Sequence, residues 1–500
     1  MNSQSTQFDT ELDLGAVAEA AGRYIDENWE TIVADMGALI SVESVEDREA
    51  AAENAPYGPG PRAALDAALA IADRLGFAVC DVDGCVGYAD LAGETETQIG
   101  IIGHVDVVPA GPGWEFSPFA LTRKDGYLIG RGVLDDKGPS VLALHAMKML
   151  EESGVVRPYT VRFIFGANEE TGMADVAYYR ERFADPAFLF TPDADFPVCH
   201  GEKGGINGWI ESALIENGQI VELAGGMAAN AVPGVAHALV RLSEDRREAY
   251  EGLGAEDGAS RLVEKVLPDA GGALEVFYEG DGMLRLEAAG KSAHASLPHL
   301  GVNAIGIIVE YLLANDLVSA DERNFLEAIW KLLAHTDGSG VGIACADEHF
   351  GSLTIVGGVI QLADGRIRQS FDSRYPTCTT ADEIAAAMQA LAESVGASSS
   401  VGHVMVPFLI DPQEPTIQTL LAAYNQATGE EAKPFTMGGA TYAREFAAGA
   451  SFGPAMPWIE TPEWAGGIHA PNEAVAEDVL KTAFVAYACA LHGLMHVDLA

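Results

Sequence analysis

Between residues 97 and 197 the chain alternates short, almost wholly apolar runs with a helix-period segment, and no other feature constrains its fold as strongly. "TQIGIIGHVDVVP" (97–109), "YTVRFIFGANEE" (159–170) and "AFLFTPDADFP" (187–197) read as buried strands, and "PSVLALHAMKMLEESG" (139–154) reads as a helix between the first two. Strands that are apolar on both faces need cover on both, which predicts a largely parallel sheet flanked by helices. Polar groups at the carboxyl ends of such strands converge on one crevice. Each of the three runs ends in such groups: His104 and Asp106, Glu169 and Glu170, and Asp193.

Helical periodicity also marks 13–39 and 61–77 before this region, and 414–429 and 483–495 near the end of the chain. After "GEKGG" (201–205) the texture changes to antiparallel-looking segments such as "GMLRLEAAGKSAHAS" and "FGSLTIVGGVIQLADGRIRQSFDSRYP". The fold class expected is therefore α/β, with a first domain over 1–203 and 408–500 interrupted by an inserted α+β domain over 204–407. A chain of 500 residues is too long for one ordinary core, and its 48% hydrophobic content is enough to fill two.

The chain carries 74 acidic against 29 basic residues, a net charge of -45, which argues against nucleic acid and anionic membranes as partners. Two sources of this acidity stay open: a high-salt setting, and solubility of an abundant protein. The six cysteines (Cys80, Cys85, Cys199, Cys345, Cys378, Cys489) show neither paired-CxxC spacing nor disulfide-scaffold density, so reduced thiols are expected. With no signal-like start and no apolar run approaching membrane-spanning length, the expected location is the cytoplasm.

His104 and Asp106 sit two apart on a strand, so both side chains face one side. Further groups lie at Gly- or Pro-rich turns: Asp135 and Asp136 in "GRGVLDDKGP", Glu169 and Glu170 in "GANEETG", Asp193 in "TPDADFP", and His469 in "GGIHAPNE". So many carboxylates in one cleft would repel each other unless cations neutralised them. Imidazole and carboxylate without thiolate suits zinc, manganese or cobalt, and a bridging carboxylate could hold two ions. Adjacent Glu169 and Glu170 cannot easily both ligate one ion, which leaves one free to take a proton.

The motifs "GHVDVVPAGPGWEFSPF", "GRGVLDDKGP", "NEETG" and "FTPDADFPV", in this order, resemble the di-zinc peptidase family of carnosinases, succinyl-diaminopimelate desuccinylase and PepV dipeptidases. "GEKGG" and "GGATYAR" (438–444) make the PepV type the nearest resemblance. The resemblance implies a di-zinc aminopeptidase-like catalytic domain with an inserted lid domain, and two zinc ions, with manganese or cobalt as alternatives. It implies His104 and Asp193 on one ion, Glu170 and His469 on the other, and Asp135 bridging. Asp106 would orient His104, and Glu169 would be the general base. In the lid, His294 of "GKSAHASLP" would stabilise the oxyanion, while Asn230 of "AANAVPG" and Arg374 of "DSRYP" would hold substrate. Asp136 is not implied as a ligand and reads as a turn residue.

Two departures fall near the implied substrate region: Ala440 stands where the family usually has a third glycine, and Gly234 where an aspartate is usual. The implied activity is hydrolysis of dipeptides with a free N-terminus through a metal-bridging hydroxide, by a monomer. A deacylase of N-acyl amino acids is the alternative within the same chemistry. A catalytically dead binding protein is a third reading, disfavoured by the intact Glu169 and ligand set.

Overall fold

The computed structural model describes residues 13–244, 246–247, 261–269 and 271–499. The chain divides into two compact units. The first comprises the chain up to Gly201, Leu409–Phe435 and Ala440–Ala500, and the second comprises Glu202–Phe408 and Thr436–Gly439.

The first unit begins with α1 (Leu14–Ile40), whose first turn is capped by the Asp13 carboxylate accepting from Ala16 N. Helix α2 (Pro59–Leu75) starts on a Gly-Pro step and stops at Gly76, whose left-handed φ of 99° suits a residue without a Cβ. Strands β1 (Ala78–Val82) and β2 (Val86–Leu91) follow, then β3 (Gln98–His104), β4 (Thr122–Lys124) and β5 (Tyr127–Ile129). Helix α3 (Lys137–Glu152), β6 (Thr160–Gly166), α4 (Ala174–Arg180) and β7 (Phe188–Thr191) complete the segment.

The sheet runs β1-β2-β6-β3-β7 and continues into Gly449–Ser451. β3 is parallel to both β6 and β7, and Gly449–Ser451 is parallel to β7, as the apolar runs predict. The flank is different: β1 pairs antiparallel with β2, and β2 antiparallel with β6. Apolar periodicity reports burial, not strand direction, so this mixed character is not visible in the runs themselves.

Helix α3 is covered nearly all round, with thirteen of its sixteen residues buried, because the sheet lies on one side and α1 and Glu477–Leu494 on the other. Phe163, Phe188 and Phe190 in the strands are wholly or almost wholly buried. Each such ring contributes about 1.5–3 kcal/mol relative to exposure. The helix expected over 483–495 begins earlier, at Glu477, where Glu477 and Asp478 place negative charge at the positive end of the helix dipole. The parallel strands end together at His104, Gly166 and Thr191.

The second unit is an antiparallel sheet with helices Ala304–Ala314, Ala320–Ala334 and Ala381–Glu393 packed on it. The latter two helices open with capping boxes, Ser319 with Glu322 and Thr380 with Glu383. No helix among the described residues is long and apolar enough to cross a membrane.

Candidate metal and catalytic site

His104 is the last residue of β3 and is fully buried. Its Nδ1 lies 3.0 Å from the carbonyl oxygen of Asp106. A carbonyl can only accept, so Nδ1 carries a proton and Nε2 is the nitrogen presented to the cleft. That Nε2 faces Asp135 Oδ1 at 2.9 Å and Asp193 Oδ2 at 3.7 Å. Across the site, His469 Nε2 lies 2.9 Å from Asp135 Oδ2 and 3.1 Å from Glu170 Oε2. The two oxygens of Asp135 therefore each face a different imidazole.

His469 is presented from a tight loop in which Gly466 N donates to Asn472 O at 2.8 Å, and its own φ of 63° is left-handed. Left-handed backbone at a non-glycine residue is uncommon and must be held by its surroundings. Part of that hold is Arg131 Nη2, which donates to the His469 carbonyl at 3.3 Å.

The electrostatics are those of a site short of positive charge. Burial would push the His104 imidazolium down, but hydrogen bonds to Asp106 and Asp135 and the charge of Asp193 hold it well above the usual histidine range. Burial opposes His469 too, yet Asp135 and Glu170 push it up to about 10. Burial raises Asp135, but the two imidazoles outweigh it and hold the carboxyl well below its ordinary value. Burial and Asp135 push Asp193 up to about 7 and raise Glu170. Glu169 is held well above the carboxylate range by burial, with Asp193, Glu170 and Asp135 adding to it. The lone pairs that draw protons here are the ones a cation would use.

The residues fit such ions. Glu170 Oε1 is buried without a hydrogen-bond partner. Two groupings, His104 with Glu169 and Asp193, and His104 with Asp135 and Glu170, each have their ligand-type atoms within 4.8 Å of one another. The donors are nitrogen and oxygen with no thiolate, as zinc, manganese or cobalt accept. The first grouping also places Glu169, expected as a proton carrier, within ligand distance.

Several groups that the motifs do not single out hold this arrangement. Glu473 accepts the N–H groups of Gly132, Leu134 and Asp135 at 3.1, 3.0 and 3.3 Å, and it pairs with Arg131 at 2.5 Å. It sits in the "HAPNE" stretch four residues after His469, where its only signal is an acidic residue beside a proline turn. Asp136, read from sequence as a turn residue, is fully buried, and its Oδ2 accepts from His104 N at 3.2 Å and Ser140 Oγ at 2.8 Å. Lys137 is buried as well, donates to the Val42 carbonyl at 2.7 Å, and is pushed down by burial to about 7. The Asp106 carboxylate comes within 3.5 Å of His104 Nδ1 and also accepts Glu169 N and Glu170 N at 3.2 and 3.1 Å.

The structure thus brings His104, Asp106, Asp135, Glu169, Glu170, Asp193 and His469 together within the first unit. The other three expected residues lie in the second unit. His294 is paired with Ala231 across a two-stranded ribbon, and Ala295 N donates to the Asn230 carbonyl at 2.9 Å. Asn230 and Arg374 line one cavity of about 300 Å³ together with Asn207, Asp372 and His403. Arg374 is nearly buried, with its Nε 2.8 Å and its Nη2 3.3 Å from the Asp372 carboxylate.

Residues 100–493 match the family described as "Peptidase family M20/M25/M40". The chain belongs to this family. M20 peptidases are metal-dependent hydrolases of peptide bonds, in keeping with the donor set above. The "Putative dipeptidase" of Staphylococcus epidermidis is 31% identical over 475 residues, covering 93% of this chain and 97% of that protein. A second "Putative dipeptidase", from Staphylococcus saprophyticus, is 33% identical over 480 residues, covering 94% and 98%. Human carnosine dipeptidase 1 shares the M20 fold with a TM-score of 0.56 at 16% identity, covering 96% of this chain and 100% of that one. The dipeptidase Dug1p of Saccharomyces cerevisiae does so with a TM-score of 0.56 at 14% identity, covering 96% and 99%.

Proposed function

We propose that this M20 peptidase is a metal-dependent dipeptidase that cleaves dipeptides with a free N-terminus, using two zinc ions held by His104, Asp135, Glu170, Asp193 and His469. The observation that carries the reading is Asp135, whose two oxygens each lie 2.9 Å from the Nε2 of a different imidazole. Full-length relatives named as dipeptidases support the substrate class. They do not favour the deacylase alternative.

His104 and Asp193 would hold one ion, Glu170 and His469 the other, and Asp135 both. When bound, such ions neutralise the carboxylates, acidify a water and polarise a carbonyl. Every other part of the chemistry belongs to the chain. The Glu169 carboxylate takes a proton from the attacking water and delivers it to the leaving amine nitrogen. Asp106 fixes the backbone under Glu169 and, through its carbonyl, the tautomer of His104. In the second unit, which acts as the lid, His294 would stabilise developing negative charge on the substrate oxygen. Asn230 and Arg374 would hold the substrate, the guanidinium suiting a carboxylate. The reading also includes a monomer, which rests on the family resemblance, and a cytoplasmic location; light scattering checks the first and cell fractionation the second.

The deciding experiment is hydrolysis of matched free and N-acetylated dipeptides by chelator-stripped enzyme, with and without added zinc, manganese or cobalt. Metal-restored cleavage of the free set alone is expected. Cleavage of the acylated set alone would replace this reading with the deacylase, and cleavage of neither would leave a binding protein.

A further inference from the structure

Four consecutive backbone N–H groups, from Ala167 to Glu170, are all accepted by carboxylates. Asp175 Oδ2 accepts Ala167 N at 2.6 Å and Asn168 N at 2.9 Å. Asp106 Oδ1 accepts Glu169 N at 3.2 Å, and its Oδ2 accepts Glu170 N at 3.1 Å. These four residues form the turn after β6 and carry both glutamates of the site.

Asp175 has two further partners. The hydroxyl of Tyr442 donates to the same Oδ2 that holds Ala167 and Asn168. Asp175 Oδ1 is engaged by its neighbour Val176 N at 2.8 Å. The carboxylate is thus fixed at both oxygens, and both side chains of the pair are fully buried. The tyrosine reaches this place because the backbone opposite His104 is Gly166, where a Cβ would lie 2.1 Å from the phenol oxygen. Its ring meets the His104 ring edge to face, with centroids 6.3 Å apart.

A phenylalanine would fill the same space without a polar group to bury, so packing alone does not account for the hydroxyl. The hydroxyl's bond falls on the carboxylate that fixes the first half of the turn. We propose that Tyr442, acting through Asp175, is a positioning residue that holds the 167–170 turn and with it the Glu169 carboxylate. The proposal deepens the dipeptidase reading and rests on it. Tyr442 orients Asp175, Asp175 aligns the Ala167 and Asn168 amides, and Asp106 completes the turn under Glu169. Misplacement of a reacting group by about 1 Å is enough to slow catalysis about 100-fold.

The test compares Tyr442→Phe, Asp175→Asn and the double variant, all metal-loaded. Tyr442→Phe keeps the ring on His104 and removes only the hydroxyl. It should lower kcat about 10- to 100-fold with KM changed less than about twofold and with metal content equal to wild type. Hydrogen exchange should be about tenfold or more faster at the 167–170 amides and unchanged along β6. The double variant should be no worse than Asp175→Asn alone, because the two residues act in one chain of contacts. Should Asp175→Asn fail to fold, the Tyr442→Phe measurements decide the matter. An unchanged kcat, or exchange that quickens uniformly through β6, would overturn the proposal in favour of simple packing. If the wild type cleaves no dipeptide, the dipeptidase reading fails on its own, while the exchange pattern still shows whether Tyr442 holds the turn.

Discussion

Arg131 and Glu473 form a salt bridge that neither side chain shares with solvent, Nη1 lying 2.5 Å from Oε2 and the side chains 1% and 0% exposed. The same glutamate accepts the backbone N–H of Asp135, and the same arginine donates to the carbonyl of His469. One ion pair therefore fixes the two loops whose side chains face each other across the site. Glu473→Gln removes the charge that balances Arg131 while keeping the side chain's shape. Breaking a buried pair from one side costs about 3 kcal/mol or more, and loss of such support weakens metal binding about 10- to 100-fold. Denaturant unfolding of the stripped protein and a metal titration read the two effects separately; wild-type values in both would remove Glu473 from this role.

Asp135→Asn leaves one oxygen where two now face His104 and His469. Metal bound per chain should fall by at least one ion, and turnover should fall about 100-fold or more. Elemental analysis of the purified variant checks this, and full loading would mean that Asp135 does not bridge.

Glu169→Gln should lower kcat about 10²- to 10⁴-fold, the range for removing a general acid–base group, with metal content kept. Glu169 also groups with His104 and Asp193 at ligand distance. Loss of metal together with activity would therefore assign it as a ligand, so metal analysis has to accompany the kinetics.

Asp35 lies away from the site, on α1, where His145 Nε2 approaches its Oδ2 at 2.9 Å and Arg74 pairs with its Oδ1. Burial raises this carboxyl, but the bonds to His145 and Arg74 outweigh it and hold it below its ordinary value. A lowered pKa means that the unfolded chain binds the proton more readily. The stabilisation is then complete above the unfolded value of about 4 and is lost as pH falls through the lower folded value. Asp35→Asn should cost about 1–3 kcal/mol at pH 7, with the gap to wild type narrowing steadily as the pH is taken below about 4. Urea unfolding across that range checks the sign; a gap that widens on acidification would contradict it.

Local chemistry is legible in the chain's own order of residues. Apolar runs placed β3, β6 and β7, and the acidic and imidazole groups at their ends were legible because a strand's terminus is marked within a few residues of its last apolar position. The helix expected over 13–39 is Leu14–Ile40, and the one closing near Gly76 does so, because caps are local too. The order of the motifs made the family visible before any contact was known.

Packing of distant segments sets which oxygen of Asp135 meets which imidazole, that Glu473 accepts the Asp135 amide, and that Tyr442 reaches Asp175. It also turned Asp136 from an apparent turn residue into a buried acceptor for the His104 amide. Each of these pairs joins residues from different elements, and several join segments hundreds of positions apart. Periodicity and capping report only on neighbours within a turn or two. A buried polar contact between distant segments depends on how the sheet and loops pack, which no short stretch of the chain encodes.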